Sequence, residues 1–313
     1  MVKVNVDNFR AAETALMYDN QLALSGGVNQ WFHYRVPTSV KEQPVIRMNR
    51  DTLYSGAVVD ISGGGTITMP EVCDRYQTVM IISQEHYINR VFGEPGTYQL
   101  TVEEHGSPFV NVVARSFVDA NEPDDIAEVN RLQDELVLDM GSANPFVHPD
   151  YNPESLKATR ETLLTLGKGI GNTDRTFGAP SDVEPTRHLI GTALGWGGLP
   201  EEEAYYYIET EPRQAGRYTF TLKGVPVDAF WSVTIYNKDG YLESNVYDSY
   251  NLNSVTAQAD PDGSVTLNLS PDGEGLTNHL YVMDGWNYAL RLYKPRPEVI
   301  DKTWTPPTPQ AAD

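Results

Sequence analysis

Short β-forming runs broken by Gly, Pro, Asn and Asp constrain this chain more than any other feature. They fall at 45–48, 56–61, 66–69, 77–83, 97–102 and 109–117, and return at 216–222, 230–237, 264–269, 280–283 and 286–293. Runs of this length and spacing pair into antiparallel sheets and stack as a sandwich or jelly roll. Asp239-Gly240 and Asp262-Gly263 sit where a hairpin between flanking strands needs positive φ, and Asp272-Gly273 is a third turn signal.

Helical signals lie at the start and in the middle. Phe9, Ala12, Ala15, Leu16 and Leu22 predict a helix over 8–24, and Ile126, Val129, Leu132 and Leu136 form a second apolar stripe behind an acidic first turn. Asn152 with Pro153 starts a third helix that ends near Gly167 or Gly169. Ser181-Asp182-Val183-Glu184 has capping-box spacing for a fourth, with Pro185 inside its first turn. Five prolines between 295 and 309 predict an extended tail. The expected fold is mainly β (α+β): an N-terminal helix plus a first β domain over 1–119, a helical bridge over 120–208, and a second β domain with a Pro-rich tail over 209–313. The two domains are expected to be sandwich-like or jelly-roll-like.

Composition narrows the function classes. A chain of 313 residues buries enough surface to fold without staples, and the single Cys73 forms no internal disulfide, which fits a reducing, cytoplasmic setting. The first twenty residues lack a basic start followed by an apolar run, so no signal peptide is expected, and no apolar stretch is long enough for membrane insertion. A net charge of -20, from 43 acidic and 23 basic residues, repels phosphate backbones and makes nucleic acid an unsuitable partner. Sheet edges leave self-association into a homo-oligomer open.

Several motifs resemble a known domain pair. Residues 45–55, including Arg47-Met48-Asn49-Arg50-Asp51-Thr52-Leu53-Tyr54-Ser55, look like the signature of domain-of-unknown-function family 1254, and Asp74-Arg75-Tyr76 and Glu85-His86-Tyr87 continue the likeness. Arg187-His188-Leu189-Ile190-Gly191-Thr192, Gly195-Trp196-Gly197-Gly198, the run from Val225 to Ser232, and Gly285-Trp286-Asn287-Tyr288 resemble its bridge and a following family 1214 domain. The resemblance implies two jelly-roll-like β domains joined by helices and brings no catalytic residues with it. The Gly-x-Ser-x-Gly nucleophile elbow of carboxylesterases is absent.

Candidate chemistry is therefore read from the residues. If 47–51 is extended, Arg47, Asn49 and Asp51 share one face, either as a wall where Arg47 holds an anion and Asp51 acts as base, or as an ion-pair brace. His86, beside Gln84 at the end of an apolar strand, is the first choice for an acid or base, and His188 after Arg187 the second; each also suits a structural hydrogen bond. Tyr54, Tyr87 and Trp231 complete the expected binding set. The six histidines show neither His-x-His nor His-Glu-x-x-His, so neither metal nor cofactor is expected. Gly167-Lys168-Gly169-Ile170-Gly171 follows a helix and reads as a helix terminus. The leading expectation is a cofactor-free enzyme, hydrolase or lyase, that uses acid–base chemistry on a small organic or carbohydrate-like substrate in a cleft near Asp51, His86 and His188. The alternative is a non-catalytic ligand-binding, glycan-binding or structural module.

Overall fold

A computed structural model of the protein describes residues 1–43 and 46–312. It is mainly β with helices, and it divides into two compact units: Met1–Arg35 with Thr52–Glu201, and Val36–Asp51 with Glu202–Asp313. Among the described residues no helix is long and apolar enough to cross a membrane.

The first unit opens with α1 (Phe9–Ser25), which buries Phe9, Ala12 and Ala15 and stops where Gly26 turns left-handed at φ 86°. Then come β1 (Phe32–His33), β2 (Thr52–Asp60), β3 (Gly65–Met69), β4 (Gln77–Ser83), β5 (Ile88–Phe92), β6 (Gly96–Leu100), the single turn α2 (Val102–His105) and β7 (Phe109–Phe117). α3 (Pro123–Asp134), β8 (Val137–Met140), α4 (Pro153–Leu166) and α5 (Pro185–Leu194) complete it. One sheet runs β1-β2-β7-β4-β5 and a second runs β6-β3-β8, all antiparallel. Val59, Val79, Ile81 and Val112 of the first pack on Ile67, Met69 and Leu100 of the second. Each such side chain contributes about 1.5–3 kcal/mol by leaving water.

β4 is buried along its whole length. Val79 and Ile81 face that core, and on the strand's far side Tyr18 of α1 donates its hydroxyl to the Ile82 carbonyl at 2.7 Å. Phe9, Ala12, Leu156, Leu163 and Ile190 join α1, α4 and α5 in a separate helical core. The segment expected as a bridge thus contributes helices and a strand, β8, to the first unit. α4 starts as expected, with the Asn152 side chain accepting from the Ser155 N–H at 2.8 Å. The expected capping box does not form: α5 begins at Pro185, and Glu184 caps it by accepting from the Arg187 N–H at 2.8 Å. A carboxylate one residue before Pro at N1 is the better placed cap.

The second unit comprises β9 (Ala204–Arg213), β10 (Tyr218–Leu222), β11 (Trp231–Tyr236), β12 (Asn251–Asn253), β13 (Val265–Ser270), β14 (His279–Tyr281), β15 (Trp286–Tyr293), α6 (Pro297–Ile300) and β16 (Gln310–Ala311). Its sheets run β14-β13-β10-β16 and β12-β11-β15-β9, antiparallel apart from β13 with β14. Phe220, Leu222, Leu267 and Leu269 of one meet Val233, Ile235, Leu290 and Leu292 of the other in a single core. Gly240 and Gly263 take the positive φ their turns demand. The Pro-rich tail is not wholly extended, because Pro297 sits in the first turn of the short helix α6.

The expected strand at 45–48 is also corrected. Val45 lies outside the described residues, Ile46 and Arg47 form a turn with Arg47 at φ 57°, and 48–50 have no regular structure. Alternation along a strand therefore does not align Arg47, Asn49 and Asp51. Each instead contacts a different residue of the second unit: Arg47 meets Arg291, Asn49 meets Tyr293 and Asp51 meets Asn251.

Candidate functional site

The motif Gln84-Glu85-His86-Tyr87 fills the turn between β4 and β5, with His86 held at φ 65°. His86 is fully buried and engaged at both ring nitrogens. Nε2 accepts from the Gly197 N–H at 2.8 Å, and Nδ1 lies 2.9 Å from Thr192 Oγ1, whose own hydrogen goes to the His188 carbonyl. This network assigns a neutral ring protonated at Nδ1. Burial, then the neighbouring His188 and Arg10, pushes its pKa well below the ordinary 6.5.

His188 and Thr192 are one helical turn apart on α5, so both reach the same turn. His188 Nδ1 donates to the Thr176 carbonyl at 3.0 Å, while Nε2 faces the Glu85 carbonyl at 3.4 Å. Burial lowers its pKa, and the two carbonyls offset that only in part. Gly191 allows the approach, since a Cβ there would stand 2.1 Å from Thr176 Cγ2. The rings form one column: Tyr87 on His188 at 4.6 Å, His188 on His86 at 5.4 Å, and His86 on Trp196 at 5.5 Å between centroids. Arg10 closes it, 5.3 Å from the Tyr87 ring centroid and 3.2 Å from the Tyr87 hydroxyl. The column binds α5 and the β4–β5 turn together, which is a brace and not a free acid–base pair.

Beside the column lies a cavity of about 230 Å³. Ala11, Thr14 and Ala15 of α1, spaced to share one helical face, form one wall; Gln84 and Glu85 form another, and the third comes from Phe146, Val147, His148, Pro149 and Tyr151. The side-chain amide of Gln84 and the hydroxyl of Tyr151 make no hydrogen bond among the described residues, whereas Thr14 accepts from Trp196 Nε1 at 3.0 Å. Glu85 lies 3.4 Å from Arg10. His148 is fixed between Asp19, 2.9 Å from Nε2, and the Pro149 carbonyl, 2.8 Å from Nδ1. Its ring lies parallel to that of Tyr151 at 6.0 Å. Burial first, then the Glu85 charge, raises the Tyr151 pKa, so its hydroxyl keeps its proton and can donate.

The second unit holds the other expected group. Asp51 is 0% exposed; its Oδ1 accepts from Asn251 Nδ2 at 2.8 Å and Asn253 Nδ2 at 3.4 Å. Asn49 Nδ2 donates to the Tyr293 hydroxyl at 2.8 Å. The Arg47 guanidinium lies 5.4 Å from the Tyr236 ring centroid, and its carbonyl accepts from Arg291 Nη2 at 3.0 Å. Among the described residues no three of His, Cys, Asp and Glu are grouped to hold a metal ion.

Two family models match the chain, each described as a protein of unknown function: DUF1254 over residues 28–140 and DUF1214 over residues 209–297. The protein carries both domains in tandem. The DUF1214 match lies wholly inside the second unit, but the DUF1254 match contains residues 36–51, which pack there too. Among solved structures, the chain is similar to the VPA0106 protein from Vibrio parahaemolyticus at 17% identity and a TM-score of 0.76, covering 98% of each chain. It is also similar to an uncharacterized protein from Burkholderia cenocepacia at 13% identity and a TM-score of 0.53, covering 97% of this chain and 87% of that one. At these identities the likeness shows the fold. No curated protein matches the sequence.

Within this tandem the expected site residues separate. Gln84, His86, Tyr87 and His188 cluster in the first unit; Arg47, Asn49 and Asp51 belong to the second. Arg187, next to His188, points away from the column and donates to Asn172. Tyr54 on β2 carries the Arg115 guanidinium over its ring at 5.3 Å. Trp231, expected to bind ligand, is a core residue at 5% exposure packed in the second unit's interior, so its ring is closed to a ligand. Sequence reasoning missed Thr14, Phe146, His148 and Tyr151. The available signal was a stretch with two prolines and three rings between 145 and 151, which favours an ordered loop over a helix or strand. It also missed Arg291, a charge inside an otherwise β-forming run, on the face opposite Leu290 and Leu292.

Proposed function

We propose that the protein binds a small polyhydroxy, carbohydrate-like molecule in the cavity of its first unit. The observation that carries this reading is a cavity of about 230 Å³ where Gln84 and Tyr151 present hydrogen-bonding groups without partners among the described residues. That volume is roughly eight water molecules at about 30 Å³ each, below the ~300–1,000 Å³ of pockets for drug-sized ligands, and suits a monosaccharide. The ring faces of Phe146 and Tyr151 would take the apolar face of a sugar, while Gln84, Glu85 and Thr14 would meet its hydroxyls. On this reading the two sandwich units are jelly-roll-like scaffolds, and the histidine column fixes the turn that carries Gln84 and Glu85.

A second reading, acid–base turnover of the same molecule by a hydrolase, is favoured by Glu85 beside a Tyr151 that retains its proton. Calorimetric titration of a panel of monosaccharides and polyols, with NMR of each mixture for product, separates the two. Binding without product supports the module, and product formation supports the enzyme. If the panel neither binds nor reacts, both readings fail.

A further inference from the structure

The sheet β12-β11-β15-β9 has one apolar face and one largely polar face, and both are buried along β11 and β15. Trp231, Val233, Ile235, Leu290 and Leu292 enter the core of the second unit. The alternate residues Ser232, Thr234 and Tyr236 of β11, Arg291 of β15 and Asn253 of β12 form the other face, with Ser232 in register with both Arg291 and Asn253. The 36–51 segment, through Arg47, Asn49 and Asp51, covers it. A polar face hidden from water is costly wherever its groups go unpaired.

Several do. Asp51 Oδ2, Ser232 Oγ and Arg47 Nη1 are buried and have no hydrogen-bond partner among the described residues. Arg291 gives its hydrogens to neutral acceptors: Thr234 Oγ1 at 2.7 Å, Tyr236 Oη at 2.6 Å and the Arg47 carbonyl. Among the described residues no carboxylate stands within 4.0 Å of either guanidinium. The two cations nevertheless lie over one ring, Arg47 at 5.4 Å and Arg291 at 5.9 Å from the Tyr236 centroid. Like charges so placed and shielded from solvent repel, and the Asp51 charge offsets this for Arg291 but not for Arg47, whose pKa burial and then the Arg291 charge lower. The same face holds a carboxylate oxygen, Asp51 Oδ2, that can only accept, and a serine hydroxyl, Ser232 Oγ, that can do either.

We infer that this face is a binding site for a small hydroxycarboxylate, separate from the cavity of the first unit. The ligand's carboxylate answers the Arg47 and Arg291 guanidiniums, a pairing that guanidinium geometry favours. Its hydroxyl answers Asp51 and Ser232; the acceptor-only Asp51 oxygen rejects a second carboxylate but takes an O–H donor. The combination distinguishes a hydroxy acid from a plain carboxylate, from inorganic phosphate and from a neutral polyol. Arg47, Asn49 and Arg50 are partly exposed, so the ligand's way in is the 46–50 segment.

The test uses the full chain, titrated calorimetrically with glycolate, lactate, acetate, inorganic phosphate and glycerol. Glycolate or lactate should bind at least about tenfold more tightly than acetate, the size of one hydrogen bond to a charged group. Arg47→Gln should weaken every carboxylate by about tenfold or more. Ser232→Ala removes a hydroxyl that has no partner, so it should leave the ligand-free melting temperature unchanged or raised. It should also bring hydroxy-acid affinity down toward that of acetate while acetate itself binds as before. Equal affinity for glycolate and acetate, tighter binding of phosphate, or no binding by any of them would overturn the inference. In that last case the face is a brace bridged by water. Retained affinity in Arg47→Gln with native circular dichroism would overturn it as well.

Discussion

The Gly197 N–H donates to Nε2 of His86 across 2.8 Å, so the lone pair that a catalytic base would use is already committed to the backbone. His86→Ala should therefore act on stability first. It strands the part-buried Gly197 N–H, which costs up to about 1–3 kcal/mol, and opens a gap between His188 and Trp196. Urea unfolding should show a loss of about 3 kcal/mol or more. Native stability in this variant, accompanied by loss of turnover, would instead restore His86 as the acid or base.

Acid should loosen the first unit through the same ring. His86 is neutral in the folded chain and its pKa is depressed by burial, so above pH 6.5 both folded and unfolded forms are neutral and its contribution is complete. Below 6.5 the unfolded chain takes up a proton that the folded chain refuses. Stability then falls by up to about 1.4 kcal/mol per pH unit until the folded value is reached. His188 and His105 shift in the same direction, chiefly by burial, and burial with Arg35 takes the half-buried His33 down to about 4. Unfolding measured from pH 7 to 5 in wild type and His86→Ala isolates the ring from the general effect of 43 acidic residues. Parallel pH profiles would show that His86 is not responsible.

Much of the fold was legible because it rests on local periodicity. The alternation of 230–236 assigned Val233 and Ile235 to one face and Ser232 and Thr234 to the other, and the core of the second unit follows that division. The segment at 45–48 was misread because Val-Ile-Arg-Met has strand propensity, yet the Arg47 N–H bonds to the Gly240 carbonyl at 2.8 Å and turns the chain. Context of this kind overrides β-propensity and is carried by residues some two hundred positions away. Its assignment to the second unit was hidden for the same reason. Of the candidate site, Gln84 was visible from its place after an apolar strand. His148 and Tyr151 were not, since irregular loops carry no period that says which side chains converge.

The proposed cavity makes a separate demand on Tyr151 and Gln84. Among the described residues neither side chain makes a hydrogen bond, so Tyr151→Phe and Gln84→Ala should unfold like wild type. Each removes one hydrogen bond to a bound polyol, typically about 0.5–1.5 kcal/mol, so affinity should fall by up to about tenfold. Isothermal titration of the best-binding sugar checks this. Unchanged affinity in both variants would remove the cavity from consideration.

Trp231 gives the opposite pattern. Its indole packs in the core of the second unit beside Leu292, its partner in the β11–β15 register, and no part of it faces a ligand. Trp231→Ala should cost about 3–5 kcal/mol, as for other large aromatic side chains removed from a core. Trp231→Phe keeps most of the buried area and should cost less. Under conditions where Trp231→Phe is folded, its affinity for polyols should equal wild type, because the proposed cavity lies in the first unit. Intact stability with abolished sugar binding would show that the ring, despite its 5% exposure, reaches a ligand after all.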